Sequence, residues 1–188
     1  MRNKFIFNEK KITATLVNGE FIWLAFEGTG GISPLYKSSV YSPDLVYWDV
    51  NVVADEITFM HQDSTYMYLS LDDTINTGAK VTIATPNIIT YFTKDIGVSE
   101  KSVDLVDDTT FIYFLTPGIL SGENAKIVKY NKSTRVYVET IDLTTVFNAK
   151  KIDIDNFGTL WVISDIDPVK LTKVIYSGGW SFTTYTLS

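Results

Sequence analysis

The chain has no cysteine, one histidine and five prolines among 188 residues. Without cysteine there is no disulfide, no thiolate nucleophile and no mark of redox compartment. With His61 alone, a zinc site lacks the further nitrogen or sulfur ligands it needs. A Ser-His-Asp triad would have to be built on His61, and no Gly-x-Ser-x-Gly elbow accompanies it. His61 therefore reads as a strand histidine with a local hydrogen bond. Basic residues are in deficit, 16 against 22 acidic, for a net charge of −6. That speaks against a protein that tracks nucleic-acid phosphates, which shows a basic face. No apolar run reaches the roughly 20 residues of a membrane span. The start, Met1-Arg2-Asn3-Lys4-Phe5-Ile6-Phe7, is too short in apolar residues for a signal peptide, so the expected location is a virion or the cytoplasm. Helical periodicity is missing too: Thr144–Lys150 offers one turn at most.

What the chain does have is a repeat. A turn-type residue stands five positions before an aromatic four times: Asn18 and Trp23, Asp63 and Tyr68, Asp108 and Tyr113, Asn156 and Trp161. The steps between the turn residues are 45, 45 and 48. A second register runs beside it, through Tyr41-Ser42-Pro43-Asp44, Ala84-Thr85-Pro86-Asn87, Tyr130-Asn131-Lys132-Ser133 and Tyr176-Ser177-Gly178-Gly179. A period of this size, carried by short runs rich in Val, Ile, Thr, Tyr and Phe, marks a β-propeller or a related array.

Each repeat, over about 12–54, 55–100, 101–149 and 150–188, reads as four short strands. The first offers Ile12–Val17, Phe21–Phe26, Leu35–Ser38 and Leu45–Val53. The second strand of each repeat is apolar almost throughout, as in Phe111-Ile112-Tyr113-Phe114, which predicts burial on both faces. Outer runs such as Arg135–Ile141 alternate, which suits a half-solvated strand. Asn18-Gly19 predicts a tight type I′ hairpin with both residues at positive φ. The expected fold is all-β: one domain over 1–188, a small propeller of four four-stranded blades. The regular period argues against the alternative, a β-sandwich. Trp23 and Trp161 are expected in the core.

Two segments resemble known propeller families. Ser42-Pro43-Asp44-Leu45-Val46-Tyr47-Trp48 resembles the Ser-x-Asp-Leu-Val-x-Trp turn of five-bladed propeller glycosidases and sugar-binding propellers, and more loosely the Asp-box of sialidase-type propellers. The resemblance covers seven residues in one repeat. It implies a structural turn, with Asp44 on backbone amides and Trp48 between blades, and secondarily a sugar-stacking role for Trp48. Ile152-Asp153-Ile154-Asp155-Asn156-Phe157-Gly158-Thr159-Leu160-Trp161-Val162 is similar to the inner hairpin of NHL-type and gluconolactonase-like repeats. Asp153, Asp155 and Gly158 brush the calcium-loop pattern, but Trp161 and Ser164 fall where its ninth and twelfth ligands belong.

Glycoside hydrolysis needs two carboxylates converging on one bond. Asp44, Asp63, Asp104, Asp108 and Asp153 are available, but most sit at turns that repeat for structural reasons, and none pairs by spacing. Gly28-Thr29-Gly30-Gly31 lacks the lysine and helix of a phosphate cradle and reads as a flexible connection. No catalytic residue, metal site or cofactor is expected. Aromatics make up 14% of the chain. Tyr36, Tyr41, Tyr47, Tyr91, Tyr176, Trp48 and Trp180 are candidates to face outward, as protein interfaces and sugar sites both require. The expectation is a non-catalytic module that binds protein partners or itself within a larger assembly, such as a phage particle, with Phe5–Phe7 as a spare strand. A carbohydrate-binding or glycosidase-like propeller and a cytosolic peptide scaffold are the alternatives.

Overall fold

The computed structural model describes residues 11–85, 88–94, 101–119, 123–165 and 168–187, with backbone alone for 42–49. The leftover segment Phe5–Phe7 lies outside them. Among the described residues every regular element is a β-strand. They form four antiparallel sheets of four strands, each in chain order. The first holds β1 (Ile12–Asn18), β2 (Phe21–Phe26), β3 (Ile32–Ser39) and β4 (Ser42–Val53). The second holds β5 (Glu56–Gln62), β6 (Tyr66–Asp72), β7 (Asn76–Thr82) and β8 (Ile89–Thr93). The third holds β9 (Asp104–Asp107), β10 (Phe111–Thr116), β11 (Lys126–Asn131) and β12 (Tyr137–Asp142). The fourth holds β13 (Ala149–Ile154), β14 (Leu160–Ser164), β15 (Lys170–Tyr176) and β16 (Trp180–Thr186).

The chain divides into two compact units, Met1–Tyr91 and Phe92–Ser188. In the first unit β1 lies beside β5. Trp23, Leu35, Val52, Ile57, Met67 and Leu69 are buried in one cluster drawn from both sheets. Each fully buried side chain of this kind contributes about 1.5–3 kcal/mol. The connection through Gly28 is tightly packed. Its amide donates to the Asp55 carbonyl (3.0 Å), and a Cβ there would stand 2.3 Å from that oxygen. Gly28 thus marks a close backbone approach, while Gly30 and Gly31 sit at positive φ (64° and 76°) with room around them. Tyr91, an outward candidate, is half-buried, and its hydroxyl accepts the Val53 amide (3.0 Å).

In the second unit β9 lies beside β13. Tyr113, Leu115, Ile127, Ile141, Val162 and Val174 share its core. Asp104, only 2% exposed, reaches across, and its Oδ2 accepts the Ile152 amide (2.9 Å). The buried carboxylate is positioned by one amide and by Lys151 at 3.7 Å. It fastens two sheets.

The apolar second strands divide. β6 and β10 are buried on both faces, as their sequence predicts, whereas β2 and β14 are only partly so. The tight turn after Asn18 falls one residue later than expected. Asn18 pairs with Phe21, so Gly19 and Glu20 are the central residues. Gly19 alone has positive φ (60°), as a type II′ turn requires. The next turn of that sheet is Val40-Tyr41, so Ser42-Pro43-Asp44 belongs to β4 rather than to a turn. Irregular pairing at Lys37–Ser39 absorbs the offset.

Candidate functional site

The repeating turn residues act as clamps. Asp63 Oδ1 accepts the amides of Thr65 (2.8 Å) and Tyr66 (2.7 Å), and its Oδ2 accepts the Tyr68 hydroxyl (3.2 Å). Asp108 does the same with Thr110 and Phe111 (both 2.6 Å) and the Tyr113 hydroxyl (2.9 Å). One carboxylate closes the turn and anchors the aromatic five residues on. Short polar side chains suit this role because they reach their own turn amides. Burial, followed by the bond to Asp108, pushes the Tyr113 phenol far above its ordinary range.

In the fourth sheet the clamp is Asp155, not Asn156. Its Oδ1 accepts Phe157 and Thr159 amides (both 2.9 Å), and its Oδ2 accepts the Trp161 indole N–H (3.1 Å). The turn holds one extra residue, Gly158, at φ 78°. That insertion moves the acid to six positions before its aromatic, so five-residue spacing selects the wrong neighbour. The same bonds, led by the Thr159 amide, hold the Asp155 carboxyl below its ordinary value. Among the described residues no three acidic or histidine side chains converge as metal ligands would.

A second repeated partner was hidden from the spacing. In every sheet the repeat aromatic sits opposite a lysine on the third strand: Trp23–Lys37, Tyr68–Lys80, Tyr113–Lys129 and Trp161–Lys173. Each lysine lies over aromatic rings. Lys37 is 3.8 Å from the Phe21 centroid and 4.8 Å from Trp23. Lys80 is 3.8 Å from Tyr66, Lys129 is 4.2 Å from Phe111, and Lys173 is 5.5 Å from Trp161. A cation over a ring face gains about 0.5–2 kcal/mol, more where water is excluded. Partial burial lowers the Lys37 ammonium's pKa. The loops between second and third strands differ in length, so the lysines fall at uneven intervals that a fixed period misses.

The proposed outward aromatics separate. Trp23, Tyr68 and Tyr113 are buried, as the repeat predicts. Trp161 is only partly buried, because it shares a face of β14 with the exposed Ile163, while Leu160, Val162 and Ser164 on the other face are buried. Tyr36 is half-buried and packs edge-on against Phe26 (5.4 Å). Trp180 is half-buried: its indole donates to Glu139 (2.9 Å), and its ring lies 5.5 Å from Lys129 and 5.1 Å from Tyr176. Tyr47 and Trp48 lie on β4, Trp48 opposite Lys37, with side chains outside the described residues, as is that of Asp44. His61 lies on β5 opposite Tyr68.

Two of the proposed residues do stand in solvent, Tyr41 at 79% exposed and Tyr176 at 62%. The sequence missed a third, Phe157, at 95%. Each is at or beside a strand-connecting turn. In the first unit the Val40 amide donates to the Glu20 carbonyl (2.9 Å), which sets the Tyr41 turn beside the Asn18 hairpin. In the second, Phe157 crowns the Asp155 clamp and Tyr176 ends β15 in the same sheet. The signal for Phe157 lay in the sequence: a large apolar residue inside a polar Asp-Asn-x-Gly turn has no core to enter.

No protein-family model and no curated protein sequence matches the chain. Solved structures do. Hydrazine synthase of Kuenenia stuttgartiensis matches with a TM-score of 0.70 at 10% identity, over 93% of this chain and 53% of that one. A computationally designed protein, Ika4, matches at TM-score 0.60 and 9% identity, over 96% of this chain and 94% of its own. YCF48, solved with a D1 peptide, matches at TM-score 0.56 and 10% identity, over 94% of this chain and 53% of its own. The chain thus spans about half the length of the hydrazine synthase and YCF48 chains. Identities this low carry the fold and nothing further. Four four-stranded antiparallel sheets in chain order, matched to propeller structures, give the chain the fold of a four-bladed β-propeller.

Proposed function

We propose that this chain is a non-catalytic protein-binding propeller that contacts its partner through aromatic side chains at the blade turns. The observation that carries the reading is Phe157, 95% exposed on a turn whose acid already holds two amides and an indole. Such a turn presents the ring in a fixed place, so little ordering is needed on contact. Tyr176 in the same blade, and Tyr41 in the first unit, extend the pattern. Exposed aromatics of this kind anchor protein interfaces. That YCF48, of similar fold, was solved with a peptide supports the reading by analogy of fold alone. Membership of a larger assembly, a phage particle among them, is the finer form of the proposal and rests on the class of small propellers. Wild-type chain and a Phe157→Ala/Tyr176→Ala variant, each immobilised, would be compared for capture from lysate of the source. A soluble protein or particle held by wild type and lost by the equally folded variant is expected. Equal capture by both, or specific retention on a glycan array, defeats the proposal.

A further inference from the structure

Asn18-Gly19 is the single Asn-Gly pair of the chain. It stands where two other blades carry Asp63 and Asp108. Asn18 is exposed at the end of β1, and Gly19, at φ 60°, has nothing within 4 Å of the place a Cβ would take. Among the described residues no hydrogen bond holds the Asn18 side chain or the Gly19 amide; the turn is closed by the Asn18–Phe21 pair.

The remaining described asparagines are held differently. Asn76, Asn124 and Asn148 donate their side-chain amides to Asp73, Asp142 and the Asp165 carbonyl at 2.6, 3.0 and 2.7 Å. Asn131 accepts two turn amides (3.0 and 2.8 Å). Asn156 shares the exposed hairpin setting, but the next backbone nitrogen, that of Phe157, is bonded to Asp155 (2.9 Å). Asn51 is exposed but lies within β4 before the branched Val52.

We propose that Asn18 is a site of spontaneous deamidation. The Gly19 nitrogen attacks Asn18 Cγ and loses its proton. The Cγ–Nδ2 bond breaks and ammonia leaves, giving a five-membered succinimide. Water then opens the ring at either carbonyl, leaving aspartate or isoaspartate at position 18. No oxidant or enzyme is needed. The attack requires the backbone to swing about Asn18, and glycine, with no Cβ, resists that least. Aspartate adds one negative charge and supplies the acid that the two following blades already use. Isoaspartate lengthens the main chain by a methylene and breaks the Asn18–Phe21 register. Through the Val40–Glu20 bond the isoaspartate product disturbs the Tyr41 turn, a consequence for binding that rests on the function proposed above.

The test incubates the full chain, folded and in urea, at mildly alkaline pH, and follows each asparagine by peptide mass mapping. In the folded protein position 18 should lose its amide first, ahead of Asn51 and Asn156, yielding both aspartate and isoaspartate. Amide exchange at Phe21 should quicken in the aged sample, and Asn18→Gln should suppress both changes. A folded chain that keeps Asn18 while the unfolded one loses it overturns the proposal, as does earlier loss at any other asparagine. Partner binding plays no part in this readout, so its outcome is independent of the proposed function.

Discussion

The third and fourth blades carry the same device at two depths. Asp108 and Asp155 each close a turn through two amides and hold an aromatic through the second oxygen. Tyr113 is buried in the core of its unit, while Trp161 is partly exposed on a strand whose neighbour Ile163 faces water. The bonds match in number, and those of Asp155 (2.9, 2.9 and 3.1 Å) are somewhat longer than those of Asp108 (2.6, 2.6 and 2.9 Å), so bond count does not distinguish the blades. What differs is the medium. A bond made away from water leaves a costly orphan when one partner goes, while an exposed one is replaced by solvent.

The largest expected effect separates the two aromatics. Tyr113→Ala should cost about 3–5 kcal/mol, the loss for deleting a core aromatic. Trp161→Ala should cost about 2 kcal/mol, since part of its surface is already wet. From sequence alone Trp161 carries the larger expectation, because its position repeats that of buried residues. Urea denaturation of both variants decides. Equal losses would break the comparison and place the energy in the clamp rather than in burial.

The acids come next. Asp108→Ala leaves the buried Tyr113 hydroxyl and two turn amides without their acceptor and should cost about 1–2 kcal/mol. Asp155→Ala should cost less, because its Phe157 amide bond is exposed and Trp161 is only partly buried. Hydrogen exchange at Phe111 and Phe157 sharpens the contrast: Phe111, whose bond is partly buried, should lose more protection on removal of its acid than the exposed Phe157 does. A greater loss at Phe157 would show that the exposed clamp bond carries more than burial allows.

How much of this was legible follows from what a period records. Asp63, Asp108, Tyr68 and Tyr113 kept their spacing because the two-residue turns between them are equal, and the sequence placed them correctly. The fourth acid was misassigned because Gly158 adds one residue inside the turn, which changes spacing without changing role. The lysine opposite each aromatic was invisible. Its partner is set by strand pairing across a loop of variable length, and pairing is a tertiary fact. Among the outward candidates, Tyr41 and Tyr176 are turn residues whose neighbours could be read. Trp180 looked equally free, but Glu139, some forty positions earlier, takes its indole N–H.

The smallest effect is a pH dependence in which two carboxylates of the second unit pull in opposite directions. Asp155 is held below the ordinary 3.8 by amide and indole bonds to its ionised form. Its contribution to stability is therefore present above 3.8 and lost as pH falls through its lower folded value. Asp104 is raised above 3.8 chiefly by burial, against which the Ile152 amide and the mostly exposed Lys151 only partly prevail. Its contribution is full below 3.8 and lost as pH rises through its higher folded value. On acidification, Asp104 should thus take up its proton first and favour the fold, and Asp155 should take up its own later and oppose it. Asp104→Asn keeps an oxygen for the Ile152 amide and removes the titration. Its urea midpoint, compared with wild type from neutral pH downward, should show relative stabilisation near neutrality that shrinks as wild-type Asp104 protonates. Asp155→Asn should lag wild type at neutral pH and converge with it in acid. Carboxyl NMR titration of both residues supplies the order directly. If Asp155 protonates before Asp104, burial does not govern Asp104, and the contrast between deep and shallow carboxylates fails at the residue where it should be clearest.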